Sequence, residues 1–343
     1  TVIPNTWFLW IGFTVKPISN NNIMDIKKLL IADIHLHLDG SLSSHAVINI
    51  AKKENIVLPT YVEKELDKYL MVDENCASLN EYLTKFDVPN LVLQTKYGLK
   101  TAYLDLLKRE SEAGLKYVEI RMAPQLSTQK GLSQEEVVKT LIDAKIEGEK
   151  LYKIKSNLIL CLMRGANESL NLETINVARK YIGKGVVALD LAGAEALFPN
   201  ELYFSLFKLA KEYNIPFVIH AGEAGGANSV KTALEMGASR IGHGIHSIDD
   251  EKVIKMLVDK QIPLEICPKS NLDTKTISSF EQLPIKKFME KGIKVTLNTD
   301  DMAVSNTTLE NEYNILSNIG FSYEQLKLQM DLLDQILHLY QGR

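Results

Sequence analysis

Eight short runs rich in β-branched residues recur along this chain, and most lead into a stretch with helical periodicity. They occupy residues 30–35, 117–121, 158–162, 186–191, 216–220, 240–243, 263–267 and 294–298. Runs of this length and composition read as buried strands. Helical patterns lie between them. Residues 134–146 carry apolar Val137, Val138, Leu141 and Ile142 near a period of 3.6. Residues 170–181 and 201–213 follow the third and fourth runs, and 230–236 stop at Gly237. Such alternation calls for parallel pairing through right-handed crossovers. Eight units can close a barrel whose interior the side chains fill. No Gly-x-Gly-x-x-Gly turn follows the first run, which disfavours an open doubly wound sheet. The expected fold is therefore α/β, a (β/α)8 TIM-type barrel.

One connection breaks the rhythm. About 80 residues separate the first and second runs, where a loop of 2–6 is usual. They read as extra helices inserted between the first and second strands, placed to roof a site. Residues 29–343 are expected to form one barrel domain, with 1–28 as an N-terminal extension of unknown role. The apolar stretch Trp7–Phe13 in that extension is short and follows no Lys or Arg, unlike a secretory signal.

Composition removes several classes of function. Lys plus Arg is 39 and Asp plus Glu is 43, a net charge of −4, so no cationic surface awaits a nucleic acid. No apolar run approaches the roughly 20 residues that span a bilayer. The three cysteines Cys76, Cys161 and Cys267 are too few and too scattered for a disulfide framework, and point to a reducing, cytoplasmic setting. A monomer is expected.

In a barrel of this kind, chemistry collects at the C-terminal ends of the strands. The first ends in His35-Leu36-His37, and residues two apart on a strand face the same way. The fifth ends in His220, the sixth in His243, and the eighth leads into Asp300-Asp301. Each has an ordinary alternative: a surface His-x-His pair, a core histidine, an Asp pair that caps a turn. Their convergence from separate strand ends is what singles them out. Neutral imidazoles and a carboxylate suit zinc, which keeps an open position for water at a catalytic site. The expected ligand set is His35, His37, His220 and Asp300, holding one Zn2+ per chain. Two-metal barrel hydrolases usually place a modified Lys at the end of the fourth strand, where this chain reads Ala188-Leu189-Asp190-Leu191-Ala192-Gly193. His45 and His338 are read as surface residues, and His246 as a loop residue near the site.

The motifs Asp33-Ile34-His35-Leu36-His37-Leu38-Asp39-Gly40-Ser41-Leu42, Asp190-Leu191-Ala192-Gly193, His220-Ala221-Gly222-Glu223, Arg240-Ile241-Gly242-His243-Gly244, Cys267-Pro268-Lys269-Ser270-Asn271 and Asn298-Thr299-Asp300-Asp301 stand in this order. Together they resemble the adenosine and adenine deaminases, from about residue 28 to the C-terminus. The resemblance implies zinc-dependent hydrolysis of the 6-amino group of adenosine and 2′-deoxyadenosine, as in purine salvage. It implies that Glu223, His243 and Asp300 are catalytic. Glu223 would protonate purine N1, and His243 would orient the attacking water or take its proton with Asp300 assisting. It also implies that Gly193 N–H meets purine N3, that Asp301 meets N7, that Asp39 meets the ribose 5′-hydroxyl, and that His37 borders the substrate.

The sequence departs from the common pattern at Ser43-Ser44, where Arg-Pro is usual, at Ala194, where Asp is usual, and at Met302, where animal enzymes have Pro. None is a zinc ligand, so these positions bear on substrate range. Relatives acting on adenine commonly carry Glu where Asp39 stands, so a nucleoside is the expected substrate. AMP is disfavoured for want of an Arg cluster to take a 5′-phosphate. Adenine or another 6-aminopurine is the nearest rival. A non-catalytic binding barrel is the rival of another class, and the intact ligand and acid set argues against it.

Overall fold

A computed structural model describes residues 26–29 and 31–327. Its eight strands are β1 (Ala32–His37), β2 (Tyr117–Met122), β3 (Lys155–Met163), β4 (Val186–Ala192), β5 (Val218–Ala221), β6 (Arg240–His243), β7 (Leu264–Ile266) and β8 (Val295–Leu297). All pair in parallel, β1 through β4 in one set and β5 through β8 in another. Two bridges close the ring. Leu189 of β4 pairs with Phe217 ahead of β5, and Leu36 of β1 pairs with Asp300 after β8. The second closure consists of His37 N–H donating to Asp300 O (2.7 Å) and Asp300 N–H donating to His35 O (2.8 Å). The expected TIM-type barrel is the architecture found.

The boundaries differ in instructive ways. β1 starts two residues later than expected and includes both histidines, which strengthens their shared facing; Leu30 lies outside the described residues. β3 runs nine residues, longer than its apolar centre, because Ser156 and Asn157 still pair with β2. β7 and β8 contract to three residues each. Gln134–Tyr152 outlasts its predicted end, starting from a capping box between Ser133 and Glu136. Gly237, at φ 97°, ends Ala227–Met236 as expected. The long connection holds Ser44–Glu54, Glu63–Leu70, Leu79–Tyr82, Asp87–Val92 and Lys96–Ala113. Ser43, one of the departures from the family pattern, caps the first of these by accepting from Ala46 N–H.

The outer face of the strands packs on the helices through residues such as Ile120, Leu160, Leu189 and Ile241, all fully buried. The inner face is charged. Arg121 donates to Asp190 (2.8 Å) and Glu265 (2.9 Å), while Arg240 pairs with Glu119 and Glu265. Barrel interiors usually hold branched apolar residues. Here paired buried charges stand under the site, each needing its partner because desolvating an unpaired ion is expensive. No described helix is long and apolar enough to cross a membrane.

Candidate active site

The strand ends deliver their side chains to one point. His35 and His220 bring their Nε2 atoms within 3.1 Å, and His37 and His220 theirs within 3.3 Å. Asp300 Oδ1 stands 3.2 Å from His35 Nε2 and 3.3 Å from His37 Nε2. The ring protons are spoken for elsewhere. His35 Nδ1 donates to Glu265 Oε2 (2.8 Å) and His220 Nδ1 to Asp190 Oδ2 (2.9 Å). Each Nε2 then turns a lone pair inward. Burial holds the His37 imidazole well below its ordinary pKa, which keeps that ring neutral. Burial opposes the charge on Asp300, yet the His35 hydrogen bond and the surrounding rings hold its carboxyl well below the usual range.

Three lone pairs and a carboxylate oxygen so disposed repel unless a cation lies between them. Four ligands about 2.0–2.1 Å from a tetrahedral zinc stand roughly 3.3 Å apart, and the measured separations match. His35, His220 and Asp300 also group with His243 within 4.8 Å. His243 Nε2 is 3.9 Å from Asp300 Oδ2 and 3.6 Å from Glu223 Oε2, so it stands further out than His37. The Asn271 amide lies 3.0 Å from His243 Nδ1 and fixes the ring, while Nε2 has no partner. Burial keeps this imidazole neutral as well.

A cavity of about 310 Å³ opens over these groups. Its floor includes His37, Glu223, His243, Asp300 and Asp301, its wall Asp39 and Gly193, and its roof Tyr82, Leu83 and Phe86 from the inserted helices. The insertion therefore covers the site as expected. Burial, then the charges of Asp300 and Glu195, push the Glu223 carboxyl up to about 8. Burial, then Asp300 and Asp39, push Asp301 well above the carboxylate range. Asp39 rises to about 6 through burial. Gly193 sits at φ 103°, a conformation side chains rarely adopt. His243 and Asp300 adopt left-handed backbone too, at φ 61° and 63°, unusual for non-glycine residues.

Every predicted site residue among His35, His37, Asp39, Gly193, His220, Glu223, His243, Asp300 and Asp301 lies in or directly beneath this cavity. His45 is exposed and pairs with Glu63; His246 bonds Asp249 off the cavity; His338 lies outside the described residues. Sequence reasoning assigned no role to Asp190, Glu265 and Arg121, which orient the histidines. Their signal was a charge in the middle of an apolar strand, where burial demands a partner. It also missed Ser270, which donates to Asp300 Oδ2 (2.7 Å), and Tyr82, whose hydroxyl donates to Asp301 Oδ2 (3.1 Å).

A closed β/α barrel that converges three imidazoles and a carboxylate beneath a roofed cavity has the fold and donor set of a metal-dependent hydrolase. Residues 31–331 match the family model described as adenosine deaminase. An adenosine deaminase of Haemophilus ducreyi is 46% identical over 322 residues, 92% of this chain and 91% of that protein. One of Clostridium botulinum (strain Okra) is 47% identical over 308 residues, 89% of this chain and 92% of that protein. Among solved structures, the adenine deaminase of Arthrobacter aurescens superposes with a TM-score of 0.77 at 24% identity, covering 90% of this chain and 99% of that one. The chain belongs to the adenosine deaminase family.

Proposed function

We propose that this protein hydrolyses adenosine and 2′-deoxyadenosine to inosine and 2′-deoxyinosine plus ammonia, with one zinc ion, in purine salvage. The observation that carries the reading is Glu223: a buried carboxyl held near 8, facing the cavity 3.6 Å from His243 and beside the four-donor cluster. A group that keeps its proton at neutral pH is what protonation of a purine nitrogen needs. The 46–47% identical relatives named adenosine deaminases support the same substrate.

His35, His37, His220 and Asp300 would hold the zinc. Bound there, it supplies a water whose pKa is about 7 in place of 15.7. His243, neutral, accepts from the Asn271 amide at Nδ1 and so carries its ring proton on Nε2; from there it would orient an attacking water toward purine C6, with Asp300 alongside to take that water's proton. Attack at C6 disrupts ring aromaticity and builds charge at N1. Glu223 delivers its proton to N1 and removes that penalty, a contribution of about 10²–10⁴-fold. The 6-amino group then leaves as ammonia.

The remaining groups orient the purine. Asp301, held protonated, donates to N7, and Tyr82 steadies it from the roof. Gly193 donates its N–H to N3 from a backbone that lets the ring come close. Asp39, with Oδ1 unpartnered, accepts from the 5′-hydroxyl. Arg164 is the cationic side chain lining the cavity, and its guanidinium is spent on Phe198 O, Asn200 Oδ1 and His220 O. A single buried guanidinium so engaged is no cluster of cations for a 5′-phosphate, which favours a nucleoside over a nucleotide.

The three free, buried thiols fit a reducing compartment, and we assign a cytoplasmic monomer with residues 29–343 as its single domain. A panel of adenosine, 2′-deoxyadenosine, adenine and AMP, read by ammonia release with metal analysis alongside, tests the assignment. Adenosine and 2′-deoxyadenosine should lead with one zinc per chain. Faster turnover of adenine would reverse the substrate assignment.

A further inference from the structure

We infer that Glu195 is a positioning residue for the proton donor, acting through the backbone that carries Glu223. The inference rests on the reading of Glu223 as the acid. Glu195 is 3% exposed and has left the cavity wall to its neighbours Gly193 and Ala194. Its carboxylate accepts from four successive amides. Oε1 takes Gly222 N–H (2.7 Å), and Oε2 takes Glu223 N–H (3.1 Å), Ala224 N–H (2.8 Å) and Gly225 N–H (2.8 Å). The Ser229 hydroxyl adds a fifth donor to Oε1.

Four consecutive amides aimed at one carboxylate fix the loop as firmly as a bound anion would. The arrangement also stands at the start of Ala227–Met236, where the helix dipole favours negative charge. The glycines follow from it: a Cβ on Gly225 would come within 2.6 Å of Glu195 Oε1, and Gly222 holds φ 73°. The anchor continues outward. Ser229 O and Oγ accept from Asn200 Nδ2 (2.8 and 2.9 Å), and Asn200 Oδ1 accepts from Arg164 Nη2, which also donates to His220 O (2.7 Å each). The loop bearing the acid and the end of the strand bearing His220 are thus held by one buried network. A general acid must keep its reach to the acceptor within a few tenths of an ångström. Glu195 sets that reach without touching the substrate.

The test is a double-mutant cycle on the zinc-loaded full chain with adenosine. Glu195→Gln should lower kcat by about tenfold or more, yet no further than Glu223→Gln does, with KM within about threefold of wild type. Zinc content should stay at one per chain. Glu195→Gln/Glu223→Gln should be no slower than Glu223→Gln alone, because the positioning has nothing left to position. Gly225→Ala keeps the charge and displaces the carboxylate, so it should show the same kcat loss and the same non-additivity, and it stands in if Glu195→Gln does not fold. Multiplying losses in the double variant, or a wild-type kcat for Glu195→Gln beside a crippled Glu223→Gln, would overturn the positioning role alone. A near-wild-type Glu223→Gln would instead remove the acid assignment on which the role rests.

Discussion

His35 donates from Nδ1 to Glu265 Oε2 across 2.8 Å, and the same carboxylate oxygen accepts from Arg121 Nη2 at 2.9 Å. Arg121 reaches in the other direction to Asp190, which receives His220 Nδ1. One guanidinium therefore links the carboxylates that orient two imidazoles, so the state of one partner bears on the other. Partners of this kind fix the ring tautomer and orientation.

Loss of Glu265 should show first as loss of metal. Glu265→Gln leaves His35 with a weaker acceptor and Arg121 with a buried charge half paired. We expect zinc affinity to fall about 10–100-fold, measured by competition with a chelator in the absence of substrate. Unchanged affinity would mean that the ligand geometry is set by packing alone.

Glu223→Gln keeps the shape of the acid and removes its proton. It should retain zinc and lose about 10²–10⁴ in kcat with adenosine. The wild-type pH profile should carry the same signature. A group that must be protonated, with a carboxyl near 8, makes kcat/KM fall as pH rises through about 8. That alkaline limb should disappear from the residual activity of Glu223→Gln.

Much of this site was legible because metal ligation and barrel topology impose spacing. His35 and His37 sit two apart on a strand, and both could be assigned to the same side before any coordinates. His220 and His243 end their strands for the same reason. What was not legible depends on register between distant segments. Arg121 finds Asp190 only because β2, β3 and β4 align with Arg121 beside Ile159 and Cys161 beside Asp190. Asp300 stands in the cluster of donors, yet its backbone also closes the barrel against β1 at a left-handed φ, and no local propensity announces that. Glu195 carries no local signal of its role, because its five donors come from a segment some thirty residues away, beyond local periodicity.

Asp39 tests the nucleoside against the free base. Its carboxyl lines the cavity with Oδ1 unpartnered. Asp39→Ala should lower kcat/KM for adenosine by about 10–100-fold, the cost of a lost hydrogen bond of roughly 1.5–3 kcal/mol to a charged acceptor. Residual turnover of adenine, which has no 5′-hydroxyl, should not change. Equal losses for both substrates would place Asp39 in a structural role.

Glu110 concerns stability rather than chemistry. It lies on Lys96–Ala113, is 1% exposed, and has Oε1 without a partner. Burial, with Asp33 adding to it, pushes its carboxyl from 4.5 up to about 8. Between those values the native state binds a proton that the unfolded chain has released. Stability from this group is therefore present below pH 4.5 and drains away as pH rises toward 8. The rise from 4.5 to about 8 sets an upper bound of roughly 5 kcal/mol on that loss. Glu110→Gln resembles the protonated acid at every pH. Its melting temperature should match wild type near pH 4.5 and exceed it by a growing margin up to pH 8, with adenosine turnover unchanged at 25 °C. A constant difference across that range would show that the native Glu110 carboxyl titrates as it does in the unfolded chain, unshifted by burial.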